Sequence, residues 1–375
     1  MDPKETSIHR AFENLTDPRT MINQKHPLIN IIAITLCAVI SGAETWVDIE
    51  DYGNCKRGFL GTFLDLRAGI PSHDTFGRVF RWLDPDELAS SFYQWTRAVY
   101  ELTQGEVIAV DGKCLRGSKD RTHGKAALYM VNAWATDNEL MLEAERVTDK
   151  SNEITAMPRL LNLLDLKGCI VSIDAAGCQT AIAAQIVAQE GDYVLAVKGN
   201  QDTLLHDLIL TFDDPKLPTF TDYVRQYDET HGRDVVRECW VTAHPDLTQH
   251  INAYQAWPGL QSLVKIVSRR GTGPDLQLET RYFITSLPPD AAQLLRVVRR
   301  HWRVENSLHW VLDVAFREDD SRIRRDHAPE NMALIRRAAL NLVKHETSHK
   351  VGIKARRKMA GWNDDYLLKV LSLEL

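Results

Sequence analysis

Two short apolar runs each stop at an aspartate: Val107-Ile108-Ala109-Val110-Asp111-Gly112 and Cys169-Ile170-Val171-Ser172-Ile173-Asp174. Runs this short, rich in β-branched residues and flanked by glycines, read as strands buried on both faces. Between them, 127–136 and 139–147 carry strand-forming residues around an Asp137-Asn138 turn, the pattern of a hairpin. The spacing then predicts a helix over 153–164, a strand over 169–174, a helix over 178–189, a strand over 193–198 and a helix over 202–212. Upstream of about residue 100 the pattern is helical throughout: an apolar helix at 28–41, another near 44–53, and a third near 72–83 entered through Pro71-Ser72. Phe76, Val79, Phe80 and Leu83 form an apolar stripe on the third, leaving Thr75, Arg78 and Arg81 on its other face. Residues 213–286 are turn-rich, with strand-like runs at Cys239-Trp240-Val241, Leu263-Val264-Lys265-Ile266-Val267 and Tyr282-Phe283-Ile284. Helices resume at about 290–315 and, through Pro329, at 329–346.

The expected architecture is therefore an α/β chain with a helical N-terminal domain, 1–102, and a mixed domain, 103–375, carrying a β insertion at about 213–286. If the two short runs are neighbouring parallel strands, Asp111 and Asp174 stand side by side at their carboxyl ends, where open α/β sheets gather their ligands. Glu305 lies on a predicted helix far downstream, inside His301-Trp302-Arg303-Val304-Glu305, and would bring a third carboxylate to them. Three clustered carboxylates suit hard divalent cations, and two such ions about 3.5–4 Å apart are the usual device for cleaving phosphodiesters.

Composition changes this picture in two ways. The net charge of −6 argues superficially against a polyanion partner, yet 296–358 carries 16 Lys/Arg against 8 Asp/Glu. Charge distribution outweighs the total, so this region is expected to face nucleic acid, with Arg356, Arg357 and Lys358 among the contacts. Six cysteines without a C-x-x-C pair, and no secretory pattern at the start, point to a cytoplasmic protein with free thiols. The apolar stretch Leu28 to Ala43 has 16 residues, interrupted by Asn30, Thr35 and Ser41. A membrane span needs about 20, so this is expected to be a buried helix.

The chain resembles the DDE-type transposases of bacterial insertion sequences, in the branch of the H-repeat-associated proteins. The resemblance runs nearly end to end through Pro27-Leu28, Gly42-Ala43-Glu44, Ile70-Pro71-Ser72-His73-Asp74-Thr75-Phe76, Ala109-Val110-Asp111-Gly112-Lys113, Asp165-Leu166-Lys167-Gly168, Ile173-Asp174-Ala175, Ala196-Val197-Lys198-Gly199-Asn200-Gln201, His231-Gly232-Arg233, and His301-Trp302 to Phe316. It implies a ribonuclease-H-like catalytic core, which the predicted element order also matches, with Asp111, Asp174 and Glu305 as the metal-binding catalytic acids. It implies two Mg²⁺ ions per site, with Mn²⁺ as a substitute, double-stranded DNA as partner (element terminal repeats and target), and a homo-oligomer in the synaptic complex. Related transposases place a Tyr, an Arg and a Lys around the catalytic Glu; here Val298, His301 and Leu312 stand at those positions.

Further residues attach to this reading. Lys113, Arg116 and Lys198, beside the acids, and Arg299, Arg300 and Arg303, beside Glu305, are candidate DNA contacts. Arg78 and Arg81 are candidate base readers if the N-terminal helices form a helix-turn-helix. Asp313 and Glu318-Asp319-Asp320 compete with Glu305 for the third role but are expected in salt bridges with nearby arginines. Trp302 and Trp310 are expected in the core rather than stacked on bases. Two other functions remain in view. One is a DNA-binding remnant without catalysis; the other is a zinc protease through His345-Glu346-Thr347-Ser348-His349, which matches H-E-x-x-H but has Ala355 where a third histidine ligand would stand.

Overall fold

The computed structural model describes residues 11–12, 14–20, 24–99, 105–120, 124, 126–147, 153–213, 220–230, 233–271 and 276–371. The expected domain boundary at 102–103 and the His231-Gly232 pair lie outside the described residues.

The helical N-terminal part comprises α1 (Leu28–Ile40), α2 (Trp46–Cys55), the single turn α3 (Arg57–Leu60), α4 (His73–Trp82) and α5 (Pro85–Val99). Helix α1 is buried from Asn30 through Ile40. Its two buried polar side chains are satisfied, Asn30 donating to the Asp65 carbonyl at 2.7 Å and Thr35 to that of Ile31 at 2.7 Å. Helix α2 starts at a capping box in which Thr45 and Asp48 each accept the other's amide. On α4 the stripe Phe76, Val79 and Phe80 is buried, as its spacing requires. No helix among the described residues is long and apolar enough to cross a membrane.

A single nine-stranded sheet follows, in the order β3-β2-β1-β4-β5-β9-β8-β7-β6. Its strands are β1 (Val107–Leu115), β2 (Leu128–Ala135), β3 (Leu140–Val147), β4 (Ile170–Ile173), β5 (Asp192–Val197), β6 (Asp222–Thr230), β7 (Arg233–Thr242), β8 (Ser262–Arg270) and β9 (Gln277–Thr285). Helices α6 (Glu153–Leu163), α7 (Thr180–Ala188), α8 (Asp202–Asp213) and α9 (Pro245–Tyr254) intervene. Strand β1 pairs antiparallel with β2 and parallel with β4, and β4 is parallel to β5. The strands of 213–286, expected as a β insertion, extend the same sheet: β9 pairs antiparallel with β5, Val194 opposite Thr285, and β8, β7 and β6 follow. The free edge of β5 would otherwise present unpaired amides and carbonyls, which the added strands satisfy.

Layers of helices cover both faces. Ile108 and Val110 of β1 pack with Leu160 of α6, Ile182 of α7, Leu208 of α8 and Ile251 of α9. Val107, Ile170 and Val194 point the other way, against Leu294, Leu295 and Val298 of α10 (Ala291–Val304). Beyond α10 come α11 (Trp310–Phe316), α12 (Ala328–His345), α13 (Ile353–Trp362) and α14 (Asp364–Leu371). These last helices do not form a separate tail. Leu334, Leu340 and Leu367 share one core with Ile31 and Ile34 of α1, Phe80 of α4, and Trp134 on β2.

Candidate active site

In the parallel register of β1 and β4, Val110 lies opposite Ile173, so the next residue on each strand is an acid, Asp111 beside Asp174. Side chains alternate along a strand. Asp111 therefore shares the face of Val107, and Asp174 that of Ile170, both of which pack on α10. That face is the one Glu305 approaches. Helix α10 begins where Asp290 caps the Gln293 amide at 2.8 Å, and its apolar stripe Leu294, Val297, Val298 and Val304 keeps it on the sheet.

At Glu305 the helix widens into a single π turn, Glu305–His309, before resuming as α11. Such turns insert one residue into the ladder and are common at functional sites. Here the turn brings Glu305 and His309 to one place. His309 Nδ1 lies 3.4 Å from Glu305 Oε2 and 3.7 Å from Asp111 Oδ2, with the ring buried. One ligand atom from each of Asp111, Glu305 and His309 falls within 4.8 Å of the others, a donor set able to hold a metal ion. His309 Nε2 is buried without a hydrogen-bond partner, leaving that ring nitrogen with unspent capacity.

Asp174 sits on the other side of the cleft. It accepts the Ala175 amide at 2.6 Å and the Lys198 ammonium at 3.0 Å. Burial pushes its carboxyl up, but those two donors outweigh it and the group stays below the ordinary carboxylate range. Asp111 goes the opposite way, raised by burial against the pull of His309 and His301. Glu305 is held low, chiefly by its hydrogen bond with His309. His301, one helical turn before Glu305, points its Nδ1 at the Ser172 carbonyl, 3.2 Å away. Burial lowers its pKa although Asp111 and Asp174 both favour the cation. A cavity of about 480 Å³ joins these groups, with Asp111, Asp174, Lys198, His301 and Glu305 in its wall. Trp302 also lines it, half-exposed at 44%, with the Arg281 guanidinium 3.5 Å from its ring centre.

The three acids and Lys198 thus converge, while the other expected DNA contacts are placed differently. Lys113 is buried and bonded to Asp313 at 2.7 Å, with Asp319 at 3.6 Å, so it faces an acid cluster instead of solvent. Arg116 is open to solvent, 3.5 Å from Asp319. Arg299 bonds Asp228 at 3.1 Å, Arg300 bonds Asp137 at 2.9 Å, and Arg303 bonds Glu139. These three tie α10 to the ends of the sheet. Arg81 is paired with Asp326 at 2.9 Å, and Arg78 is exposed. Arg356 and Arg357 are spent on backbone carbonyls, Arg356 on Glu346 at 2.7 Å and Arg357 on Val39 at 2.6 Å, which leaves only Lys358 of that trio exposed. The acids after Glu305 are salt-bridged, though mostly to other partners than the expected ones: Glu318 is buried against Arg337 at 2.9 Å, and Asp320 pairs with Arg317 at 3.1 Å.

Two readings are corrected. Trp302 and Trp310 are not core, with Trp310 60% exposed. The zinc motif has no helical frame, because α12 ends at His345 and Glu346 turns to extended backbone, so His345 and His349 do not share a helix face. Sequence reasoning missed His301 and His309 as site residues. Their signal was present, four residues either side of Glu305, on the turns an i, i+4 neighbour occupies.

Comparison with known proteins shows the family. The family profile described as "Transposase DDE domain" matches residues 102–342, and one described as "DDE_Tnp_1-associated" matches residues 9–96. The chain is 40% identical over 368 residues to a putative transposase, YncI, of Escherichia coli O157:H7, covering 96% of this chain and 92% of that protein. It is 38% identical over 378 residues to the H repeat-associated putative transposase YhhI of Escherichia coli K12, covering 99% of both. A protein of that strain named an inactive transposase, YbfQ, is 54% identical over a segment of only 54 residues, 14% of this chain. With a matching catalytic-domain profile over most of its length and full-length relatives at this identity, the chain belongs to the DDE transposase family.

Proposed function

We propose that the chain is an active DNA transposase that nicks a strand at the end of an insertion element and joins the freed 3′ hydroxyl to target DNA. The observation that carries the reading is the convergence of Glu305 and His309 on Asp111, beside Asp174, at the carboxyl ends of two parallel strands. The order β3-β2-β1-β4-β5, with two parallel pairs and an antiparallel hairpin, supports a ribonuclease-H-like core within the larger sheet.

The donor set fits a divalent ion: two carboxylates and an imidazole, with one ligand atom of each within 4.8 Å of the others. Oxygen-rich sites suit Mg²⁺, and a histidine within the set also favours Mn²⁺. When bound, such ions supply charge neutralisation and activation of the attacking oxygen. Asp111, Glu305 and His309 would hold one ion, and Asp174 would share a second with Asp111.

The chain's own groups then have separate tasks. The Lys198 ammonium neutralises Asp174 in the protein alone and is placed to meet a phosphate oxygen when DNA enters. The His301 ring lines the same cavity and ties α10 to β4 through its bond to the Ser172 carbonyl. Trp302, capped by Arg281, offers an exposed aromatic face at the cavity wall. Duplex DNA is the proposed partner, and a homo-oligomer the proposed working form.

The test is Mg²⁺-dependent nicking of DNA carrying the flanking element ends, followed by joining to a target duplex. Asp111→Asn, Asp174→Asn and Glu305→Gln should each abolish both steps and leave binding to element ends intact. Retained cleavage by the Asp111 variant sinks the site, and binding without any cleavage by the unaltered protein makes the chain a DNA-binding remnant.

A further inference from the structure

Away from the acids, a cleft of about 690 Å³ opens between α4 and the segment that links α11 to α12. Seven arginines and three acids line it, so its potential is strongly positive. Two of the acids are already neutralised: Glu44 and Asp320 lie 3.2 and 3.1 Å from Arg317. Arg81 is held by Asp326 at 2.9 Å, and Arg336 donates to Ser321 at 3.0 Å. Arg324 is committed to the Gly117 carbonyl, which leaves three arginines. Among the described residues no carboxylate lies within ion-pair distance of Arg78, Arg322 or Arg325, and all three are exposed.

The walls that carry them are fixed. On the α4 side, buried Asn331 of α12 donates to the carbonyls of Phe80 and Leu83, each at 2.9 Å. On the other side, Arg324 donates to the Gly117 carbonyl at 2.9 Å, and a Cβ at Gly117 would meet the carbonyl oxygens of Ser321 and Asp319. The free cations therefore stand on rigid supports contributed by both ends of the chain, a preorganised arrangement that lowers the ordering cost of binding. Arg78 also borders a second cavity of about 650 Å³, where Lys25 and the exposed Trp82 continue the basic track.

We propose that this cleft grips the sugar-phosphate backbone of duplex DNA, with Arg78 on one wall and Arg322 and Arg325 on the other bonding successive phosphates. The inference rests on the transposase reading and adds a second, non-catalytic DNA site to it. An extended backbone fits better than a small anion because the free cations stand on two walls of the cleft and Arg78 leads into a neighbouring cavity that Lys25 also lines. The guanidinium fork bonds phosphate oxygens in pairs, so these contacts hold DNA without reading its sequence.

Fluorescence anisotropy of a labelled duplex, titrated with the full chain in EDTA at several salt concentrations, tests this independently of cleavage. The variant Arg78→Ala/Arg322→Ala/Arg325→Ala should lower the slope of log K against log[salt] by about 0.9 per lost contact, up to roughly 2.7, equally for element-end and random duplexes. A charge-keeping Arg78→Lys/Arg322→Lys/Arg325→Lys variant should retain most of the slope, and Arg159→Ala/Lys167→Ala, exposed but outside the cleft, should leave it unchanged. An alanine variant with the wild-type melting temperature and the wild-type slope overturns the proposal. So does specific displacement by inorganic phosphate that the alanine variant loses while its DNA slope is unchanged, which would mark a free-anion site. Arginine-dependent binding by a protein that nicks nothing would sink the nuclease reading and leave the cleft standing; nicking with an unaltered slope in the alanine variant would do the reverse.

Discussion

Glu318 and Arg337 form a charge pair with no exposure on either side chain, and removing one charge should be costly. Arg337, on α12, bonds Glu318 at 2.9 Å, Asn132 of β2 at 2.8 Å and the Ala333 carbonyl at 3.0 Å. Glu318 stands just after Arg317, whose left-handed backbone (φ 49°) closes α11. The pair thus locks the exit of the Glu305 helix to α12 and the sheet. Glu318→Gln keeps the shape and leaves the guanidinium buried without its counter-charge, a loss of about 3–5 kcal/mol. With an unfolding entropy of about 2.1 cal/mol/K per residue over 375 residues, that corresponds to a melting temperature lower by about 4–6 °C. Glu318→Leu/Arg337→Met removes both charges and should recover most of the loss. Burial pushes the Glu318 carboxyl up, but Arg337, Lys113 and Arg336 outweigh it and its pKa is lowered in the fold. The stabilisation is therefore present above the unfolded value, about 4.3, and lost as pH falls through the native one. Calorimetry from pH 8 down to acid should show the variant converging on the wild type at low pH. A Glu318→Gln protein that melts within about 1 °C of wild type at neutral pH, or a double variant no better than the single, refutes the reasoning.

Glu143, fully buried on β3, has its carboxyl pushed up to about 8 by burial, so wild-type stability is greatest below the unfolded value and declines as pH rises toward 8. Glu143→Gln should flatten that decline in denaturant titrations, with a gain at pH 9 of up to roughly 5 kcal/mol; an unchanged pH profile would contradict it. Gly117→Ala should destabilise the protein and weaken nicking, because its Cβ would press on the Ser321 and Asp319 carbonyls behind the Glu305 helix; unchanged melting would show that this segment yields freely. His309→Ala should raise the Mn²⁺ concentration for half-maximal nicking by about tenfold or more, and an unchanged metal titration would remove His309 from the site.

The carboxyl ends of β1 and β4, and the acids on them, were legible in the sequence because a short apolar run stopped by aspartate is a local signal of a buried strand end. The same holds for the amphipathic α10, whose apolar spacing required one buried face and carried Glu305 with it. Periodicity reports burial of a segment, not its partner. So 213–286 read as strands, but only the pairing of β9 with the open edge of β5 made them part of one sheet. Helices α13 and α14 gained their place from the core they share with α1. The use of each cation was decided by the fold as well. Arg299, Arg300, Arg356 and Arg357 are all basic in the sequence, yet bonds to acids or carbonyls commit them to structure, while Arg78, Arg322 and Arg325 stay free. An ion pair joins residues that may lie two hundred positions apart, as Lys113 and Asp313 do, and no local pattern records such a distance. The π turn that brings His309 to Asp111 is likewise a property of the packed helix: one extra residue in its ladder, set by the sheet beneath it, aims the ring into the site.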